Sequence, residues 1–123
     1  MIIFDRVPSG DDCSSEIGQR LSTVSEELIS IARNNNVPVI ALAGISRDVE
    51  ERKCKSPMLK DVASADGIHW YADTVITLVR EAVYDPDTEN PDFAQVSVLK
   101  SFYGLLGGFQ LEFSQPSGHF SEL

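Results

Sequence analysis

The sequence predicts an α/β domain built on a mixed sheet of about five strands, and three observations predict it. First, an apolar run Met1-Ile2-Ile3-Phe4-Asp5, an amphipathic stretch Ile17–Ile31 and a second apolar run Val37–Ala43 follow one another. Strand, helix and strand in that order imply a right-handed parallel crossover. Second, the last third of the chain sets β-branched and aromatic runs between short turns rich in glycine, proline and aspartate. Third, apolar content of 42% and charged content of 24% are ordinary for a globular chain, and 123 residues hold one core but not two.

Taken in order, residues 1–5 predict a short buried strand, and Val7–Asp12 a loop, by its proline, glycine and aspartates. Ser14 or Ser15 supplies an N-cap with Glu16 in the first turn. Ile17, Leu21, Val24, Leu28 and Ile31 then recur at spacings of a helical stripe, so Leu21, Val24 and Leu28 are expected to be buried. Asn34-Asn35-Asn36 ends the helix, because asparagine tolerates the left-handed turn. Val37–Ala43 is apolar on both faces, as strands covered by helices are. The polar run Ser46–Ser56 predicts a loop or short exposed helix, and Pro57–Ala65 a helical turn or two. Thr74–Val79 is a β-branched strand, Asp85–Pro91 an acidic turn, and Phe93–Leu99 a further strand. Gly104, Gly107 and Gly108 mark a hairpin turn into the alternating Phe109–Phe113 strand. The tail of about 114–123 is polar and expected to fray.

Charge and cysteine usage exclude several classes. A net charge of -9 and a pI near 4.5 oppose binding to phosphate backbones. Cys13 and Cys54 are isolated, with no Cys-x-x-Cys and no histidine at ligand spacing, so reduced thiols are expected and a zinc site is not. The longest apolar stretch is too short to span a membrane, and Met1 is followed by no signal-peptide pattern. A cytoplasmic protein is expected.

Asp5 ends its strand where nucleotide-hydrolysing α/β domains place the aspartate that holds magnesium on a triphosphate. Those domains cradle the triphosphate in a glycine-rich loop ending Gly-Lys-Ser/Thr. Here the Lys-Ser pairs are Lys55-Ser56 and Lys100-Ser101, preceded by Cys54 and Leu99. Asp5 therefore also reads as a strand-end residue capping the following turn. Trp70-Tyr71 is either a base-stacking platform or, with its acidic surroundings, a core or interface anchor. Ser14-Ser15 has no histidine placed to activate a hydroxyl, and His69 and His119 carry no assigned role.

The segment Val37-Pro38-Val39-Ile40-Ala41-Leu42-Ala43-Gly44-Ile45-Ser46-Arg47-Asp48-Val49-Glu50-Glu51-Arg52 resembles bacterial replicative DNA helicases of the DnaB type. The likeness continues through Pro57–Asp61, Ala72-Asp73, Arg80-Glu81, Tyr84, Lys100 and the Gly104 and Gly107 turn. It covers nearly the whole chain, but only the C-terminal half of that family's RecA-like motor domain. It implies a partial RecA-like, P-loop NTPase-like three-layer fold with a mainly parallel sheet, as a single truncated domain over 1–123. By the same resemblance Asp5 is the magnesium-positioning aspartate, and Lys100 a lysine that reaches a neighbouring subunit's nucleotide. Gly44 stands where the family keeps a glutamine that senses the γ-phosphate, and Phe102 where it keeps an arginine finger. Ala63 and Asp66 fall near the arginine and glycine of its DNA-holding loop, where an aspartate repels phosphate.

Two functions are compatible with these residues. One is a degenerate helicase-like domain, inert alone, that caps, poisons or accompanies a replication helicase. Arg47, Glu50 and Arg52 would then belong to an interaction surface, or else to a solvated charge run. The other is a fragment of a genuine ATP-dependent helicase whose first half lies upstream. Met1 as a start codon favours the first, and a coding sequence that extends upstream favours the second. Neither gives the chain a cofactor of its own; ATP and magnesium enter only with a complementary phosphate-binding half. In the family's sheet the phosphate-loop strand lies beside the strand matching Val37–Ala43. Its lack leaves an unpaired edge, so the expected partners are a second copy, as a dimer, or replicative-helicase subunits.

Overall fold

A computed structural model describes residues 1–7, 15–62 and 68–123. The elements are β1 (Ile2–Val7), α1 (Ser15–Asn35), β2 (Val39–Ala43), α2 (Asp48–Glu51), α3 (Leu59–Val62), α4 (Ile68–Tyr71), β3 (Thr74–Val79), a 3-10 turn over Glu81–Val83, β4 (Phe93–Ser101), β5 (Gly107–Ser114) and β6 (His119–Glu122). They fall into two compact units, Met1–Glu51 with Met58–Ala72, and Arg52–Pro57 with Asp73–Leu123.

In the first unit β1 and β2 pair in parallel, Ile2 opposite Val39, Ile3 opposite Ile40 and Phe4 opposite Ala41, with α1 as the connection. This is the predicted parallel strand–helix–strand opening. The helix ends on Asn36 at φ 50, with Asn36 N–H donating to Arg33 O and Val37 N–H to Ala32 O. Those two bonds close the last turn as a Schellman motif, and Arg33 places positive charge at the negative end of the helix dipole. The expected burial of the stripe is met only in part among the described side chains. Val24 and Leu28 are half-buried and Ile31 is exposed, while Ser25 is the buried residue among the described side chains of α1. A helix of 21 residues is about 31 Å long, against roughly 17 Å for the 5-residue β2, so the strand cannot cover its length. The side chains of Ile17 and Leu21 lie outside the described residues, as do Ser14 and the predicted loop beyond Val7.

Residues 1–5 and β2 were expected to be buried, and are not. Ile2, Ile3, Phe4, Ile40 and Leu42 are all exposed, because β2 pairs with β1 alone among the described strands. Burial concentrates instead on Val7 and Val49, each 1% exposed. Val49 is the single apolar residue of Arg47–Lys53, which explains why a charged run still docks α2. Ser46 caps α2, its hydroxyl accepting Asp48 N–H at 3.2 Å. Buried Asp61 reaches back from α3 to accept Met58 N–H at 2.6 Å, and its carbonyl accepts Ser46 N–H at 2.9 Å. One carboxylate thus starts α3, and the same residue's backbone ties it to the segment leading into α2.

The second unit is an antiparallel sheet in the order β3-β4-β5-β6. The single, mainly parallel sheet of about five strands is therefore corrected to a parallel pair and a four-stranded antiparallel sheet. Residues 102–106 join β4 to β5, and 115–118 join β5 to β6. A parallel crossover takes roughly a dozen residues or more, so such links force antiparallel neighbours. The hairpin turn lies at 102–106, and Gly107 and Gly108 already belong to β5. At Gly108 a Cβ would meet Val96 O at 2.8 Å, so the close strand approach requires glycine. The tail does not fray: Gly118 turns at φ 65, β6 pairs with β5, and the Phe113 and Phe120 rings lie 4.8 Å apart. Arg80 stacks its guanidinium 3.8 Å from the Phe113 ring centroid.

Candidate functional site

Asp5 sits where the β1–β2 register slips. Phe4 pairs with Ala41 and Val7 with Ala43, so Asp5 and Arg6 together stand opposite Leu42. One extra residue in a strand is a bulge, which re-aims side chains and is common beside reactive sites. The Asp5 side chain is exposed. Gly44 follows directly on β2 and is half-buried, offering no side chain toward a phosphate.

Lys100 lies on β4 opposite Val75, half-buried, with Nζ 4.6 Å from the Phe102 ring centroid. That geometry is a cation–π contact, of about 0.5–1 kcal/mol at an exposed site. Phe102 is 64% exposed at the start of the hairpin loop and donates its N–H to Asp73 O at 3.0 Å. The position of the expected finger thus carries an aromatic ring that engages the neighbouring lysine rather than a mobile cation. Asp5 belongs to the first unit, Lys100 and Phe102 to the second.

Of the expected interaction surface, Arg47 and Glu50 are exposed in the first unit, whereas Arg52 is half-buried in the second. Each of the three takes part in a hydrogen bond, ring contact or electrostatic interaction within the chain. Ala63 and Asp66 lie outside the described residues. The pair Trp70-Tyr71 divides. Tyr71 is half-buried and its hydroxyl donates to Glu26 Oε1 at 3.2 Å, joining α4 to α1. Trp70 is 75% exposed, so of the core or interface anchor expected there the core role is not met.

One residue with perturbed chemistry was missed. The Cys54 thiol is held below its ordinary value, first by a backbone hydrogen bond from Ser56, then by the Ser56 hydroxyl, with Arg52 adding positive charge. The signal was present in the sequence as a cysteine two residues before Ser56 and two after Arg52. Among the described residues no group of acids, histidines and cysteines gathers to hold a metal, and no helix is long and apolar enough to cross a membrane.

Residues 5–122 match the DnaB-like helicase C terminal domain family. The replicative DNA helicase DnaC of Bacillus subtilis is 40% identical over 105 residues, covering 85% of this chain and 23% of that protein. The replicative DNA helicase DnaB of Geobacillus stearothermophilus is 37% identical, covering 100% of this chain and 28% of that protein. One solved ATPase domain superimposes with a TM-score of 0.86 at 31% identity, covering 98% of this chain and 43% of that one. A DnaB-like replicative helicase solved in a study of its interactions with primase gives the same TM-score and identity, and 29% of that chain is covered. The chain thus spans less than a third of the full-length helicases it matches. With residues 5–122 inside the family match and its fold superimposing on a solved DnaB-like helicase, the chain belongs to the DnaB-like helicase C-terminal domain family.

Proposed function

We propose that this chain is a DnaB-helicase-like domain that hydrolyses no ATP alone and serves DNA replication by assembling with replicative-helicase subunits in the cytoplasm. It acts through its RecA-like fold, with a role in assembly or regulation. The observation that carries this reading is the lack of a Gly-Lys-Ser/Thr phosphate cradle anywhere in the 123 residues. Without it, Asp5 has no triphosphate to which it can present magnesium. Phe102 beside Lys100 removes the mobile cation that stabilises the transition state. Arg47, Glu50 and Arg52 are proposed as part of the surface that meets a partner, either a helicase subunit or a second copy of the chain. Sedimentation velocity and a tagged pull-down against a DnaB-type helicase test the assembly. A species that remains near 13.5 kDa and captures no helicase would refute it.

A second reading is favoured by the share of its relatives that the chain spans. A match to 23% and 28% of two full-length helicases fits a piece of a genuine ATP-dependent helicase, in which Asp5 and Lys100 regain their nucleotide and magnesium contacts. Joining the chain to an upstream phosphate-loop half and measuring ATP hydrolysis separates the two readings.

A further inference from the structure

Lys100 owes its place to an irregularity in the antiparallel sheet. Val75 pairs with Lys100 and Ile76 with Val98, so Leu99 is the extra residue of a bulge in β4. Residues opposite each other in a ladder share a face, and the extra residue brings Lys100 to the face of Val75 rather than that of Ile76. Phe102 lies two residues on, just past the end of β4, and its ring takes up the ammonium, with Nζ 4.6 Å from the ring centroid. The backbone beneath the ring is held at two points. Phe102 N–H donates to Asp73 O at 3.0 Å, and Ser101 Oγ accepts Gly104 N–H at 2.9 Å. The ring itself is 64% exposed, so rotation about its side-chain bonds can free the ammonium while the hairpin backbone stays in place.

An ammonium is a compact point charge for phosphate oxygens, but one seated on a ring is already engaged. We propose that Phe102 is a positioning residue for Lys100, its ring holding the ammonium on the chain's own hairpin and withholding it from the phosphates of a nucleotide. The inference rests on the reading in which Lys100 meets a nucleotide, and adds what controls that contact. A cation in place of the ring would repel Lys100 and leave its ammonium to an anion; the ring attracts it instead. The hold is weak enough to be reversed. Removing the ring should tighten phosphate binding at Lys100 about twofold to fivefold, which is about 0.5–1 kcal/mol at about 1.4 kcal/mol per tenfold. Phe102 thus tunes the contact rather than blocking it.

The test is a titration of the full chain with inorganic triphosphate, followed by NMR at the Lys100 side chain and assigned through Lys100→Arg. In the unmutated chain the ε-methylene protons of Lys100 should lie upfield of those of exposed Lys53, displaced by the Phe102 ring current. Phe102→Leu should abolish that displacement and tighten triphosphate at Lys100 about twofold to fivefold. Phe102→Tyr, which keeps a ring, should preserve both the displacement and the unmutated constant, a rescue that a merely structural role would not require. The unmutated chain and these two variants carry the same net charge of -9, so long-range repulsion of the anion cancels in the comparison. The ring-current measurement on the unmutated chain stands independently of how either variant folds. An undisplaced Lys100 signal there, or a tyrosine variant that behaves as the leucine variant does, would overturn the inference. Equal constants for the unmutated chain and Phe102→Leu, with Lys100 responding in both, would overturn it while leaving Lys100 as a phosphate contact. No response at Lys100 in either would remove that contact itself, and the control with it.

Discussion

Substitution of Val49 by alanine should destabilise the first unit more than substitution of Leu28, although the leucine loses more atoms. Val49 is 1% exposed, so truncation removes two buried carbons. At roughly 0.8 kcal/mol each the transfer cost is about 1.6 kcal/mol, and a partly relaxed cavity brings the total to about 2–3 kcal/mol. Leu28 is partly exposed with the larger part of its side chain covered, and its three carbons at roughly two-thirds of that weight give about 1.6 kcal/mol with no closed cavity to add, below the range of about 2–5 kcal/mol for a fully buried leucine. Both residues lie in the same unit, so one urea transition reports both. At a slope of about 1.5 kcal/mol per molar, Val49→Ala should lower the midpoint by roughly 1.3–2 M and Leu28→Ala by roughly 1.1 M. Exposed Glu27→Ala serves as the control, with a change under about 0.5 kcal/mol. A Leu28→Ala shift equal to or larger than that of Val49→Ala would show that the α1 stripe is the core after all.

Three further outcomes follow from particular residues. Asn36→Ala, at φ 50, should cost about 1 kcal/mol and lower Tm by about 4 °C, whereas Asn36→Gly should be nearly neutral; identical melting curves for the two would contradict the Schellman assignment. In a Cys13→Ser background, iodoacetamide labelling of Cys54 should titrate below the ordinary thiol range, and Ser56→Ala should move the midpoint up. An unchanged midpoint in that variant would remove the hydroxyl's share of the explanation. Fluorescence anisotropy should detect no binding of single-stranded DNA at physiological salt, because a net charge of -9 supplies no counterion-release drive; micromolar binding that weakens steeply with salt would disprove this.

Local patterns carried much of the fold. Thr74–Val79 has the bounds predicted from its β-branched run, and Asn36 holds the left-handed turn that its residue type allows. What the sequence did not disclose was long-range. An apolar run such as Val39–Ala43 reads as buried whether or not anything covers it, since periodicity reports what a strand can bury and not what lies against it. Parallel or antiparallel pairing depended on connection length, and the 102–106 and 115–118 links settle it more directly than the resemblance did. Phe120, in a tail that looked merely polar, finds Phe113 because Gly118 folds the chain back. At the candidate site the residue types were legible at Asp5, Gly44, Lys100 and Phe102. The bulge at Asp5 was not, because a register slip is a property of two strands. Nor was the stacking of Lys100 on Phe102.

The central claim, that this chain is inert without a phosphate-binding half, is tested most directly by phosphate release from Mg-ATP by the purified chain. The account predicts no turnover above buffer, and the same null result for Asp5→Asn. Turnover near 1 per second, within the ordinary enzyme range, that is abolished by Asp5→Asn would contradict it.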